Sequence, residues 1–426
     1  MSGLFGTLQS SRTGMSASQV AIQTTSHNLN NMNTPGYSRQ RVEQSARSAY
    51  SYPGYNSSLG AGQLGTGVEV TDISRAKNAF YDFQYRSESH TYGSLKVKYE
   101  SYTNMETIFN EPSDTSISAS MNNFFTSWQE LAKSPKDNGA KDIVTQNSKY
   151  LAEKISQITN KLENLGEQTQ VNLDNRVKDI NFAINQLRNL NKEIKIVEGS
   201  GKSPNDLLDE RDRILDDLSF KINMQDDEVK KMIDDKISKG GDVTIDELKK
   251  IANVSGEIKG SLEMIEKIDK YKTEVNTLAE NIATAVNDTL RINLFEYDGT
   301  KSPVLKVADG IIDGTVDLDV TSDKAQEMYR LKNKKISIKG EDVTINNFYN
   351  SVIQSLGNES QEVIRNEKNQ SKILKEVNKT RLNESGVALD EEMTNLIQFH
   401  HAYNASAKVV STIDSLLDVV INGLKR

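Results

Sequence analysis

LDEEMTNLIQFHHAYNASAKVVSTIDSLLDVVINGL, Leu389 to Leu424, repeats at Leu389, Met393, Leu396, His400, Tyr403, Ala407 and Val410 in steps of four and three. After a one-residue slip the repeat resumes at Ile413, Leu417, Val420 and Leu424. At the other end, Met1, Leu8, Met15, Ile22 and Leu29 stand seven apart. A seven-residue repeat keeps one narrow apolar seam along a helix that under-winds to meet a partner helix. The polar positions of each run leave too thin an apolar face for either end to bury its seam alone. Two sticky helical ends around a long middle predict a subunit built to be joined to others.

The rest of the composition fits that reading. Of 426 residues, 36% are hydrophobic and 6% aromatic, and the mean hydropathy is -0.59. That is a modest core with much wetted surface, as in elongated helical proteins. Six prolines in the whole chain permit long uninterrupted helices. A formal charge of -8 argues against nucleic-acid binding, which calls for a basic face. The absence of cysteine removes disulfides, thiolate nucleophiles and the common structural zinc sites. No run reaches the ~20 apolar residues of a membrane helix, and MSGLFGTLQSSRTGM has neither the charged nor the apolar part of a cleavable signal.

In chain order, the first helix is expected to stop in SHNLNNMNTPGYSRQ, Ser26 to Gln40, where asparagines favour turns and caps. Pro35-Gly36 fits the centre of a type II turn. Arg41 to Ile73 reads as an extended arm ending in a short strand or hairpin at VEVTDI, with Tyr37, Tyr50, Tyr52 and Tyr55 wanting a surface. Helices are predicted from Arg75 to Phe109, Ser116 to Ala132, Lys141 to Val197, Ser261 to Leu290 and Asn347 to Asn383. A shorter one follows Pro204, capped by Asn205. Phe124, Phe125, Trp128 and Leu131 read as core. LKVADGIIDGTVDLDV and KKISIKGEDVTI read as short strands with glycine turns.

The candidate chemistry is thin. GSGKS, Gly199 to Ser203, lacks the upstream glycine of a phosphate-binding loop (Ile196 stands there) and follows a helix. The acidic run Asp206, Asp209, Glu210, Asp212, Asp216, Asp217, interleaved with Arg211 and Arg213, reads as a solvated face with i,i+4 pairs. Asp313, Asp317 and Asp319 lack calcium-loop spacing. His400-His401 points two rings about 100° apart on a helix, with His400 on the seam; His27 and His90 stand alone. No catalytic, cofactor or metal site is expected.

NTPGYSRQ, Asn33 to Gln40, and EEMTNLIQFHHAYNASAKVVSTIDSLLDVVI, Glu391 to Ile421, resemble the terminal signatures of the flagellar hook-associated protein 1 family, as does DLLDERDRILDDLS, Asp206 to Ser219. Rod and hook proteins share only an N-rich TPGY-type turn and an AYNAS-like stretch. The resemblance implies a mainly α, elongated fold: terminal helices paired as a coiled coil, a helical rod with an extended β arm, and a small β-containing outer region. The divisions expected are 1–35 and 386–426 for the inner coiled coil and 36–75 for the arm. The rod takes 76–220, 261–291 and 347–385, with 221–260 a small insertion or outer domain and 292–346 a β-containing region. It further implies an extracellular structural subunit of the hook–filament junction, sent out by the flagellar type III route; the alternatives are another axial component of the distal rod or hook type, or an adhesin or enzyme housed in Leu294 to Ile345. Its implied partners are hook protein, hook-associated protein 3, copies of itself, and an export chaperone on the C-terminal helix. Leu8, Met15, Ile22 and Leu29, with Leu396, Tyr403, Val410, Leu417 and Val420, are expected to carry the assembly contacts, and Tyr37, Ser38 and Arg39 to fix the arm against a neighbour.

Overall fold

The polypeptide turns sharply at Thr34–Tyr37, where the Tyr37 N–H donates to the Thr34 carbonyl (3.2 Å) and Gly36 takes φ +80°, the positive value that position of a type II turn requires. The structure, a computed structural model, describes residues 2–48, 65–316 and 318–423; Met1, Tyr50, Tyr52, Tyr55, Asp317 and Leu424 lie outside them. Before the turn runs α1 (Ser2–Asn31). After it come β1 (Gln40–Ala46) and β2 (Val68–Arg75), antiparallel with a bulge at Glu43/Gln44, which are the expected hairpin.

The body follows: α2 (Ala79–Phe109), α3 (Ile117–Lys133), α4 (Asn138–Gly199), α5 (Asn205–Lys221), α6 (Asp227–Lys239), α7 (Ile245–Lys249) and α8 (Gly256–Leu290). Two hairpins, β3 (Phe295–Tyr297) with β4 (Leu305–Val307) and β5 (Ile336–Ile338) with β6 (Glu341–Val343), bracket α9 (Asp309–Ile312) and α10 (Ser322–Leu331). The chain ends in α11 (Ile345–Ser385) and α12 (Leu389–Asn422). At 62 residues, α4 is roughly 90 Å long, so the fold is mainly α and extended along that helix.

Two apolar clusters hold the body. The first joins Phe124, Phe125 and Trp128 of α3 to Ile155 of α4, Tyr271 and Ile282 of α8, and Tyr349 of α11. Phe295, Leu305 and Met328 belong to the same cluster, so the β-containing region 292–346 shares the rod's core. The second joins Leu173, Ile180 and Ile184 of α4 to Ile214 and Leu218 of α5 and to Val229, Ile233, Leu248 and Val254. Residues 221–260, read as an insertion, are therefore two short helices completing that cluster.

Three local expectations are corrected. Asp309–Ile312 and Ser322–Leu331 are helical where strands or loops were expected: Thr321 caps Lys324 N–H, and Ala325, Met328 and Leu331 give α10 a buried helical face. Asn205 is not the cap of α5. Pro204 holds that position without a side-chain bond, and Asn205 Nδ2 donates instead to the Ile73 carbonyl at 2.5 Å. GSGKS is the α4–α5 loop, as expected.

Candidate assembly interface

α1 and α12 pair antiparallel. Asn28 meets Glu392, and a Cβ built on Gly14 would lie 3.4 Å from Ser406 Oγ; the two meeting points are fourteen residues apart on each helix. The α1 side of the seam is made of small and polar residues: Ala17, Ser18, Ala21, Thr24, Thr25 and Asn28 are all buried. Opposite them α12 offers Glu392, Leu396, Phe399, Tyr403, Ser406, Val410, Ile413 and Leu417, buried or half-buried. That series runs in unbroken steps of four and three, so the slip read after Val410 does not exist. Phe399 and Ser406 take the places given to His400 and Ala407, and His400 is exposed. The seven-spaced Leu8, Met15, Ile22 and Leu29 are only half-buried. Small side chains on one helix let bulky ones on the other approach closely, and a hydrophobicity pattern is blind to an Ala/Ser/Thr stripe.

Much apolar surface stays open on this pair. Leu389, Met393 and Ile397 are exposed near the start of α12, and Leu416, Val419 and Val420 near its end. Val420 keeps the seam spacing but lies past the level of Leu4 and is 50% exposed.

Where the pair meets the body, Tyr37, Ser38 and Arg39 all make hydrogen bonds or ion pairs within their own chain. Tyr37 donates its hydroxyl to Asn28 Oδ1 (2.8 Å) and lies 3.0 Å from His27 Nδ1. Burial, with Asp206, Asp209 and Glu392 nearby, pushes the tyrosine pKa upward, so the hydroxyl stays a donor. Ser38 donates its N–H to Asp209 Oδ2 (2.8 Å). Arg39 pairs with Glu391 (2.7 Å) and donates its N–H to the Ser385 carbonyl (2.9 Å). Gln40 reaches Asp206 (2.8 Å).

The acidic run of α5 is the largest departure from expectation. Asp209 and Asp212 are buried. Arg75 of β2 pairs with Asp209 (2.7 Å) and Asp212 (2.9 Å), and Lys77 with Asp212 (2.5 Å). Arg86 of α2 pairs with Asp216 (2.7 Å), and Arg381 of α11 with both Asp216 and Asp82 (2.6 Å each) while stacking 4.8 Å over the Tyr85 ring. Four carboxylates thus meet four cations, which is what makes their burial tolerable. Burial pushes the Asp212 carboxyl up, but Lys77 and Arg75 outweigh it and hold its pKa at about 2. The solvated-face reading holds only for the outer side, Glu210, Arg213 and Asp217. Asn205, Asp209, Asp212 and Asp216 stand in steps of four, three and four, a polar stripe on one face that the sequence did display. Its partners, more than a hundred positions away, it did not.

Neither His27 nor His90 is isolated: His90 Nδ1 lies 2.9 Å from Ser255 Oγ. Among the described residues no cluster of three potential metal ligands occurs, and no helix is long and apolar enough to cross a membrane.

Comparison with known proteins follows this geometry closely. Residues 102–238 match the flagellar hook-associated protein FlgK helical domain, 8–37 the flagella basal body rod protein family, and 379–423 the flagellar basal body rod FlgEFG protein C-terminal family. The flagellar hook-associated protein 1 of Bacillus subtilis (strain 168) is 30% identical over a 504-position alignment covering 100% of this chain and 99% of the relative. The chain belongs to the flagellar hook-associated protein 1 family. The Salmonella typhimurium flagellar hook-associated protein 1 is 31% identical over 215 residues, 50% of this chain and 37% of its own length. The solved flagellar hook junction protein FlgK from Burkholderia pseudomallei aligns with 50% of this chain and 46% of its own at 18% identity and a TM-score of 0.40. As a member of that family, the chain is a structural component of the bacterial flagellum at the hook–filament junction. The terminal matches end on the turn at one side and on α12 at the other, and the helical-domain match contains the α5 stripe that joins them to the body.

Proposed function

We propose that this subunit works as a mechanical adaptor with no turnover, built into the flagellar axis by burying the open face of its terminal helix pair. The observation that carries this is the run of exposed apolar residues on α12, from Leu389, Met393 and Ile397 to Leu416 and Val420. A lone chain gains nothing from exposing that much apolar surface, and such patches mark interaction sites. In this reading neighbouring copies, hook protein below and hook-associated protein 3 above supply the missing cover. The contacts are head-to-tail and continue a helical lattice. Leu8, Met15, Ile22 and Leu29, half-buried in the single chain, finish their burial there. Before assembly an export chaperone covers the C-terminal helix, and the chain leaves the cell by the flagellar type III route with its ends unfolded, the two helices pairing once outside.

Electron microscopy of cells lacking the protein, with flagellin assayed in the medium, tests this. Hooks of normal length without filaments, and flagellin lost to the medium, are expected. Missing hooks, or intact filaments, would overturn it.

A further inference from the structure

The terminal pair has a difficulty that its own sequence creates. Ala17, Ser18, Ala21, Thr24 and Thr25 form a smooth stripe of small residues, and such a stripe grips a facing helix almost equally well after a slip of one heptad. A slip of seven residues moves α12 along α1 by roughly 10 Å. It would carry the exposed Leu416 and Val420 by the same distance relative to the body, and so displace whatever they meet.

One buried contact distinguishes the registers, with the more exposed Arg39–Glu391 pair beside it. Asn28 is 1% and Glu392 3% exposed, and Asn28 Nδ2 donates to Glu392 Oε2 at 2.9 Å. The same amide donates to the Gln40 carbonyl (2.9 Å) and accepts from the Gln40 N–H (2.9 Å) and the Tyr37 hydroxyl (2.8 Å). Two donor and two acceptor bonds use the full capacity of an asparagine side chain. Asn28 is therefore fixed by the turn, independently of α12, and presents one N–H at one height. In a slipped register Glu392 would face Ala21 or run beyond the turn, leaving a buried carboxyl without its donor, which is expensive.

From this geometry we infer that Asn28 and Glu392 are the register lock of the terminal pair. They select one alignment of α12 on α1 and thereby fix the height of the assembly surface above the ion-paired base. A single buried polar residue is a known means of setting coiled-coil register at some expense of stability. Here the lock is anchored to a turn outside the coil, so the pair is registered to the body as well as to itself.

The absence of cysteine makes the test direct on the full-length chain. Gly14→Cys with Ser406→Cys reports the native register. Thr7→Cys or Ala21→Cys with Ser406→Cys reports a one-heptad slip either way, since a disulfide does not span the extra distance. With Asn28 and Glu392 intact, only the first pair should close. In Asn28→Leu/Glu392→Leu, with helix content unchanged by circular dichroism, the slipped pairs should close to within about threefold of the native one. Glu392→Gln, which still accepts from Asn28, should keep the native pattern. Exclusive closure of Gly14→Cys/Ser406→Cys in the double-leucine variant would overturn the proposal. Should that variant not fold, Ala21→Asn/Asn28→Leu decides: moving the asparagine back one heptad should shift closure to Thr7→Cys/Ser406→Cys, and retained native closure would equally overturn it. The readout is the isolated chain, so it stands or falls separately from the assembly reading.

Discussion

α8 and α12 are nearly the same length, 35 and 34 residues, and α12 is the more apolar of the two. Yet α8 buries fourteen residues and α12 only Glu392 and Ile413. Within the body α8 is enclosed, its apolar residues meeting α2, α4 and α11, although Phe80 and Phe83 of α2 and Phe182 and Ile196 of α4 stay exposed on the outer faces. The terminal pair is a two-helix object with one seam filled and the rest of its apolar surface open. The difference teaches that hydrophobicity says how much surface wants cover, and the number of neighbours decides how much receives it within one chain. On the reading proposed above, the deficit of α12 is the driving force for assembly.

The comparison predicts a graded series of effects on the stability of the isolated chain. Trp128→Ala removes a fully buried side chain from the first cluster and should cost about 3–5 kcal/mol, seen as a large drop in Tm by circular dichroism. Gly93→Ala comes next. A Cβ there would overlap the Phe220 carbonyl oxygen, so α2 and the end of α5 must part, at about 1–3 kcal/mol; denaturant unfolding should show a lower midpoint with an unchanged slope.

Asp212 should give an effect that depends on pH. Its folded pKa of about 2 lies below the ordinary value of 3.8. The unfolded chain therefore binds the proton first, and the contribution, about 2 kcal/mol, is complete above pH ~4 and lost as pH falls towards 2. Thermal melts of the native chain should steepen their decline over that window, and Asp212→Asn should remove that part of the slope. An unchanged slope would separate the charge cluster from the stability of the base. Glu391→Ala, which deletes an exposed partner of Arg39, should change stability by less than about 1 kcal/mol.

At the bottom of the series Val420→Asp and Leu416→Asp should leave the melting curve within about 0.5 kcal/mol of the original, since both side chains are already exposed. The same substitutions should abolish motility and incorporation into the flagellum. Normal motility with either one would break the contrast between a finished body and an unfinished terminal pair.

Periodicity made the helices legible, from the 62-residue α4 to the terminal runs, and Pro35-Gly36 announced the turn that closes α1. The core role of Phe124, Phe125 and Trp128 was equally readable, because large apolar residues at helical spacing leave little else to do. The two ends also disclosed that they pair, through a repeat of seven. Leu396, Tyr403, Val410 and Leu417 do stand in the filled seam of α12, but the sequence did not disclose which side of α1 does the pairing. The apolar residues Leu8, Met15, Ile22 and Leu29 caught the eye, while the filled seam runs through Ala17, Ala21, Thr24 and Asn28, since close approach depends on smallness and not on hydropathy. Nor could local spacing reveal that Asp209, Asp212 and Asp216 are held by Arg75, Lys77, Arg86 and Arg381. An acidic stripe on a helix looks alike in water and in a buried base, and only the tertiary fold brings cations from β2, α2 and α11 to it. Sequence determined the long helices and the surplus of apolar surface at the ends, though not the short α9 and α10. Tertiary structure decided where charge is compensated and which surplus remains, because both are properties of neighbours far apart along the chain.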